Sequence, residues 1–180
     1  IVVTTYCNIP YVFGIQAFLE EIERAGAQAV MVPNLPIEEA SPMLRAAKEA
    51  GVHVIFQVAP TTSEDRLRRI TASASGFIYT INVEGVTGVR ERIAESTLRL
   101  VSRVRKYTDI PTMAGFGISK KEHATAVVSA GADGAITGSA VARIYEKNLE
   151  KPEETLPEVA NFARQIKQGC IEGYKRRRKT

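Results

Sequence analysis

Two glycine-bearing turns near the end of the chain hold the groups best suited to binding a phosphate. Residues 115–119 read Gly-Phe-Gly-Ile-Ser and residues 137–140 read Thr-Gly-Ser-Ala, and each turn follows a short apolar run and precedes a helical pattern. A glycine has no Cβ to keep an anion from the backbone, and the free amides at a helix start attract negative charge. The hydroxyl of Ser139 is a further donor. Two such turns in consecutive units predict a phosphate site.

A repeated alternation of strand and helix must position these turns. Apolar runs begin near residues 2, 29, 54, 77, 112 and 134, and a helical pattern follows each one. This rhythm is typical of a doubly wound sheet or a (β/α)8 barrel. A dinucleotide-binding doubly wound fold has its glycine turn after the first strand, whereas both turns here follow the last two strands, as they do in barrels. We therefore expect an α/β fold of the (β/α)8 TIM-barrel class, with six of the eight units in this sequence.

Local patterns predict where individual elements begin and end. Ile1–Thr5 is expected to be a strand buried on both faces, and residues 6–10 a loop. Ser119 and Glu122 have the spacing of a capping box at the start of the next helix. Pro152 is expected to open a final amphipathic helix. The apolar positions of that helix are Leu156, Val159, Ala163 and Ile166.

The composition is that of an ordinary globular protein. The 180 residues are 44% hydrophobic and long enough for one sizeable core, so we expect a single domain over residues 1–180. No apolar run approaches the roughly 18 residues of a membrane helix, and no signal peptide is evident. Cys7 and Cys170 make neither a disulfide framework nor a metal motif, which favours reduced thiols in the cytoplasm.

The excess of positive charge lies in the C-terminal tail. The formal net charge is +4, and Lys175–Lys179 alone contributes +5, so the rest of the chain carries −1. A solvated, frayed basic tail at residues 175–180 is the main expectation, and a nucleic-acid or membrane contact is the alternative. The sequence begins at Ile1, directly in a strand pattern and without a Met, which indicates the C-terminal part of a longer protein.

Several stretches taken together resemble the alpha chain of tryptophan synthase. They are residues 5–8 (TYCN), 32–36 (VPNLP), 56–62 (FQVAPTT), 76–79 (GFIY), 85–88 (GVTG), 115–119 (GFGIS) and 138–140 (GSA). These stretches span nearly all of the chain in the family's order and spacing. The resemblance implies an N-terminally truncated barrel covering roughly strands 3 to 8, with Ile1–Thr5 as strand 3. In that family the barrel is a lyase of tryptophan biosynthesis, which cleaves indole-3-glycerol phosphate to indole and glyceraldehyde 3-phosphate.

The resemblance also implies which residues hold the phosphate of the substrate. They would be Gly88, Gly117, Gly138 and Ser139, with Phe116 beside the phosphate. Three of them, Gly117, Gly138 and Ser139, are also the residues that the backbone argument selects.

Catalysis in the family uses two carboxylates, one to protonate indole C3 and one to take up a proton. The resemblance places both before residue 1. Within the chain, Tyr79 would be the active-site tyrosine at the end of strand 6, Thr87 would belong to the loop that closes over the substrate, and Tyr6 would line the substrate. Glu84 is the only acid inside an active-site loop, and a solvated loop charge is its more common role. Neither His53 nor His123 is a good catalytic candidate, and nothing suggests a metal.

The resemblance implies a protein partner and no cofactor for this chain. Asn8, Ile9, Pro10 and the loop that contains Asn34 match surfaces that contact the beta chain, a pyridoxal phosphate enzyme, in an alpha2beta2 heterotetramer. Asn34 stands where the family usually has Asp, so it keeps the shape of that side chain but not its charge. Two alternatives stay open: another phosphate-binding TIM-barrel enzyme, such as a histidine-pathway isomerase, and a non-catalytic phosphate- or partner-binding module.

Overall fold

The strands follow one another in chain order across a six-stranded sheet. The computed structural model describes residues 1–81, 93–115 and 117–178. The sheet order is β1-β2-β3-β4-β5-β6, and the pairs β1–β2, β2–β3 and β5–β6 are parallel. The strands are β1 Val2–Thr4, β2 Ala29–Met31, β3 His53–Val58, β4 Ile78–Thr80, β5 Thr112–Ala114 and β6 Gly134–Ala135. The predicted order of βα units is confirmed, since a helix lies between each pair of consecutive strands.

Eight α-helices occur among the described residues. They are α1 Asn8–Phe13, α2 Ile15–Arg24, α3 Ser41–Ala50, α4 Glu64–Ser73, α5 Glu95–Val104, α6 Lys121–Ser129, α7 Ser139–Tyr145 and α8 Leu156–Arg177. Three short 3₁₀ turns lie at Ile37–Glu39, Glu146–Asn148 and Pro152–Thr155. None of the helices in this part of the chain combines the length and the apolar character needed to cross a membrane.

The chain forms two compact units, each with its own core. The first unit comprises Ile1–Tyr79 and Tyr107–Pro111. In it, β3 is a nearly continuous buried apolar run, and Leu19, Met43 and Leu67 from the flanking helices are fully buried. Burying a side chain of this size stabilises the fold by about 1.5–3 kcal/mol.

The second unit comprises Thr80–Lys106 and Thr112–Thr180. Its core is built from residues of α5, β5, α6 and α8 and from the segments just before and just after α6. The buried members are Val101, Ala114, Ile118, Ala124, Val127, Val128, Ala132 and Ile166. Helix α8 packs along α6 so closely that a Cβ on Gly173 would lie 2.6 Å from the carbonyl oxygen of Thr125.

The predictions for the N-terminal segment need two corrections. Strand β1 is exposed on both sides of a half-buried Val3, because among the described residues it pairs only with β2. Residues 6–10 are not a loop throughout, since α1 begins at Asn8. A proline in the first turn of a helix is tolerated because the amide it lacks would have no partner there, so Pro10 did not exclude a helix.

The predictions for the C-terminal segment also need correction. Pro152 opens a 3₁₀ turn and α8 begins at Leu156. Leu156 and Ala163 are exposed, and the inward face of α8 instead carries Ile166, Gly169 and Gly173.

The basic tail is helical as far as Arg177. The guanidinium of Arg177 donates to the carbonyl oxygens of Gly131 at 2.7 Å and Ala132 at 3.2 Å, and it pairs with Asp133 at 3.4 Å. The expected solvated tail is therefore wrong for Arg177, which caps the carbonyl end that follows α6.

Candidate functional site

The turn after β5 begins in the sheet and ends at α6. The amide of Gly115 donates to the carbonyl oxygen of Thr80 at 3.1 Å, so the hydrogen bonding between β4 and β5 extends one residue beyond β5. Gly117 has a φ of +75°, a conformation that L side chains rarely adopt, and a Cβ built there would meet no atom within 4 Å. Gly117 is exposed and the next residue, Ile118, is buried in the core. The turn therefore presents bare backbone while Ile118 anchors it.

The turn after β6 lies at the same edge of the sheet as the turn after β5. Strands β5 and β6 are parallel neighbours, and the amide of Ile136 donates to the carbonyl oxygen of Ala114 at 2.7 Å. Gly138 is the N-cap of α7, and a Cβ built on it would also meet nothing within 4 Å. No described residue accepts a hydrogen bond from the amides of Ser139 and Ala140. The two turns thus leave exposed donors at neighbouring strand ends, as a phosphate site requires.

The helix start beside the first turn differs from the prediction. Lys120 is the N-cap of α6, and neither Ser119 nor Glu122 makes a side-chain capping bond. The capping box is therefore wrong. Its place is taken by His123, whose Nδ1 reaches back to the carbonyl oxygen of Gly117 at 3.0 Å and the amide of Ser119 at 3.3 Å.

His123 is the functional candidate that sequence reasoning dismissed. His123 is the third residue of α6. A side chain at this position can reach back to the turn before the helix, as capping side chains do. That position was the available signal. At a helix start, a histidine is a capping side chain as well as a possible acid or base.

Tyr79, the expected active-site tyrosine, lies in β4 and belongs to the first unit. Its side chain is 9% exposed. Burial raises the pKa of the Tyr79 phenol above its ordinary value of 10.0. The phenol is therefore neutral at physiological pH, and it can donate a hydrogen bond but does not act as an anion.

The expected partner surface in the first unit is apolar and exposed. Ile9, Tyr11, Val12 and Phe13 of α1 are all more than half exposed, and Val12 reaches 84%. Tyr6, expected to line the substrate, is also exposed, whereas Pro10 is buried.

Asn34 joins this surface through a direct hydrogen bond. Its side-chain Oδ1 accepts from the amide of Cys7 at 2.9 Å, one residue before α1 begins. The structure thus brings together the two segments that were expected to contact a partner, the start of α1 with Asn8 and the loop after β2.

Some predicted residues lie outside the described ranges. These are Thr87 and Gly88, with Glu84 in the same segment, and Phe116 in the turn after β5. Among residues 1–81, 93–115 and 117–178, no group of three or more His, Cys, Asp or Glu side chains could hold a metal ion.

The fold and the two turns define a class of protein before any comparison. Parallel βα units in chain order, with glycine turns after the last two strands, are the arrangement of a (β/α)8-barrel protein. Residues 1–171 match the family profile of the tryptophan synthase alpha chain. The chain belongs to this family.

Similar proteins agree with this assignment. The tryptophan synthase alpha chain of Methanocaldococcus jannaschii is 46% identical over 147 residues, which are 82% of this chain and 52% of that protein. The alpha chain of Gloeobacter violaceus is 42% identical over 93% of this chain and 60% of its own length. A solved structure described as the tryptophan synthase a2b2 complex of Pyrococcus furiosus contains a chain that superposes with a TM-score of 0.81 at 30% identity, covering 93% of this chain and 65% of that one. The chain thus spans about half to two thirds of the proteins it matches.

Proposed function

We propose that the chain forms the phosphate-binding part of a tryptophan synthase alpha chain, which cleaves indole-3-glycerol phosphate to indole and glyceraldehyde 3-phosphate. The observation that carries this proposal is the pair of exposed glycine turns at the ends of β5 and β6. Gly117, Gly138 and Ser139 would donate backbone and hydroxyl hydrogen bonds to the substrate phosphate, together with Gly88 and Phe116. Family membership supplies the identity of the phosphate ester.

The residues of this chain would bind and orient the substrate, and the proton transfers would need other groups. Cleaving the C–C bond requires an acid at indole C3 and a base, and the family's two carboxylates have no counterpart in residues 1–180. Tyr79 would contact the substrate as a neutral hydrogen-bond donor, because burial raises the pKa of its phenol. Thr87 would act from the loop after β4, and Tyr6 would line the substrate. We expect residues 1–180 alone to bind the phosphate ester without cleaving it.

The exposed apolar face of α1 is best explained by a protein partner. Contiguous exposed apolar side chains are unusual on a monomer and mark interaction sites. The Pyrococcus furiosus relative is part of an a2b2 complex, and we infer the same partner here, a beta chain in an alpha2beta2 heterotetramer. Asn8, Ile9 and Asn34 would contact it, whereas Pro10, also expected there, is buried within its own chain. Pyridoxal phosphate would belong to the beta chain, and the family's biosynthetic role supports a cytoplasmic location.

An indole-release assay tests the proposal. Indole formation from indole-3-glycerol phosphate is measured for the 180-residue chain and for the same chain preceded by the first two βα units of a full-length relative, each with and without a beta chain. We expect release only from the extended chain, and faster release with the beta chain. Release by neither protein, with retained glycerol phosphate binding, would favour the non-catalytic binding module. Release from a different phosphorylated substrate would favour another barrel enzyme.

A further inference from the structure

The His123 ring gathers three polar groups of the turn after β5 around one nitrogen. The side chain is 2% exposed. Its Nδ1 lies 3.0 Å from the carbonyl oxygen of Gly117, 3.3 Å from the amide nitrogen of Ser119 and 3.5 Å from the Ser119 hydroxyl. A buried polar ring placed in this way is bonded to the turn and not merely packed beneath it.

The chemistry of a ring nitrogen allows only one of the two backbone bonds at a time. Nδ1 donates when it carries a proton and accepts when it carries a lone pair. The bond to the Gly117 carbonyl needs the proton, whereas the bond from the Ser119 amide needs the lone pair. Both protonation states of Nδ1 connect the turn to α6. They differ in whether the amide of Ser119 is hydrogen bonded to His123.

The turn needs such a tie because Gly117, which precedes the anchored Ile118, restrains its own backbone weakly. Gly117 is exposed, has a positive φ and has no side chain. A glycine explores more backbone conformations than any other residue. Binding is weaker when the hydrogen-bond donors must first be ordered, and it is stronger when they are already held in the binding geometry.

We propose that His123 is the positioning residue of the phosphate-binding turn, and that phosphate binding selects the ring form that donates from Nδ1 to Gly117. A phosphate that accepts from the Ser119 amide competes with His123 for that donor. The ring then stays hydrogen bonded to the turn through the carbonyl oxygen of Gly117. This inference rests on the proposed phosphate site and names a residue that positions it.

Calorimetry with glycerol 3-phosphate on the full 180-residue chain tests the positioning role. His123→Ala is expected to weaken binding about tenfold, the factor equivalent to ~1.4 kcal/mol. His123→Asn keeps a polar atom at the place of Nδ1 and should recover most of the affinity. His123→Gln carries its polar atoms one bond further out and should not. His53→Ala, at the exposed start of β3, is the matched control and should bind like wild type.

Imidazole ¹⁵N resonances of the wild-type chain test the ring form without any substitution. Glycerol 3-phosphate should move the His123 Nδ1 signal toward the protonated position and leave His53 unchanged. Absence of binding to the wild-type chain would overturn the proposed function together with this inference. Normal wild-type binding with equal affinity in His123→Ala, equal recovery by Asn and Gln, or an unmoved Nδ1 signal would overturn this inference alone.

Discussion

The α1 segment of the first unit and the glycine turns of the second unit expose different kinds of groups. At the β1 end, in the first unit, the exposed groups are large apolar side chains, with Ile1 at 79% and Val12 at 84%. In the second unit, the turns after β5 and β6 expose Gly117, Gly138 and Ser139, and a Cβ on either glycine would meet no atom within 4 Å. Apolar side chains gain free energy by burial against another protein, whereas bare amides gain it by hydrogen bonding to an anion. The exposed side chains of α1 therefore suit the proposed partner contact, and the two glycine turns suit the proposed phosphate contact.

Helix α8 of the second unit and helix α1 of the first unit also differ in how they are packed. In the second unit, α8 lies against α6 through Gly169 and Gly173, and Arg177 caps the carbonyl groups after α6. In the first unit, α1 has one turn and a half, and only Pro10 is buried. A long helix locked by close backbone contact can support a precise ligand turn. A short helix with exposed side chains suits a surface completed by a second chain.

The largest expected effect follows from filling the space beside the second turn. Gly138→Val places a side chain where no protein atom lies within 4 Å, so it should block the phosphate without disturbing the fold. Each hydrogen bond to a charged group contributes about 1.5–3 kcal/mol, and losing two or more should lower glycerol 3-phosphate affinity at least about 100-fold. Calorimetry and thermal unfolding of both proteins check this. Equal affinity, or a lost thermal transition, would contradict the assignment of this surface to a ligand.

The next effect concerns the helix packing of the second unit. Gly169→Ala places a Cβ against the backbone carbonyl of Lys121 and the side chain of Ala124. Overpacking of this kind should lower the free energy of unfolding by about 3 kcal/mol. At an unpacked helix position the same change would raise it by about 1 kcal/mol through helix propensity, so the sign of the change is diagnostic. Denaturant titration of the wild type and of Gly169→Ala gives the sign and the size of the change.

A smaller effect is expected at the apolar end. Val12→Lys replaces the most exposed apolar side chain of α1 with a charged one. The free energy of unfolding should change by less than about 0.5 kcal/mol, because surface positions without buried contacts are tolerant. Binding of a hydrophobic dye should fall, and affinity for a beta chain should drop about tenfold, equivalent to ~1.4 kcal/mol. Unchanged dye and partner binding together with lost stability would mean that α1 packs within its own chain.

Features set by short sequence patterns were predictable. The alternation of strands and helices and the two glycine turns follow from local sequence patterns, and the structure contains each of them. The site residues Thr87, Gly88 and Phe116 remain predictions, and so do the substrate roles of Tyr6 and Tyr79.

Features set by tertiary contact were not predictable. Pro10 interrupts the apolar pattern after β1 and therefore predicts a loop. The structure has a helix at residues 8–13 instead. The inward face of α8 is marked by Gly169 and Gly173, which a search for large apolar residues passes over. The role of His123 depends on a turn whose positive φ brings backbone groups to the ring.

The smallest expected effect is a pH dependence in the first unit. The oxygens of Glu38 lie 3.1 Å from the guanidinium groups of Arg66 and Arg69. A hydrogen bond with the backbone amide of Glu38, followed by the two positive charges, holds the pKa of its carboxyl below the ordinary 4.5. A group whose pKa is lowered by folding contributes stability above its unfolded pKa and loses it as the pH falls through the folded value.

Glu38→Gln should therefore lower the free energy of unfolding at pH 7 only slightly, because exposed ion pairs are screened by solvent. The difference between wild type and variant should persist down to about pH 4.5 and vanish at lower pH. Urea titrations from pH 7 to pH 3 measure it, and added salt should reduce it. A difference that grows as the pH falls would have the wrong sign for a depressed carboxyl pKa. It would show that Glu38 contributes through its shape, and that the ion pairs beside it do not stabilise the first unit.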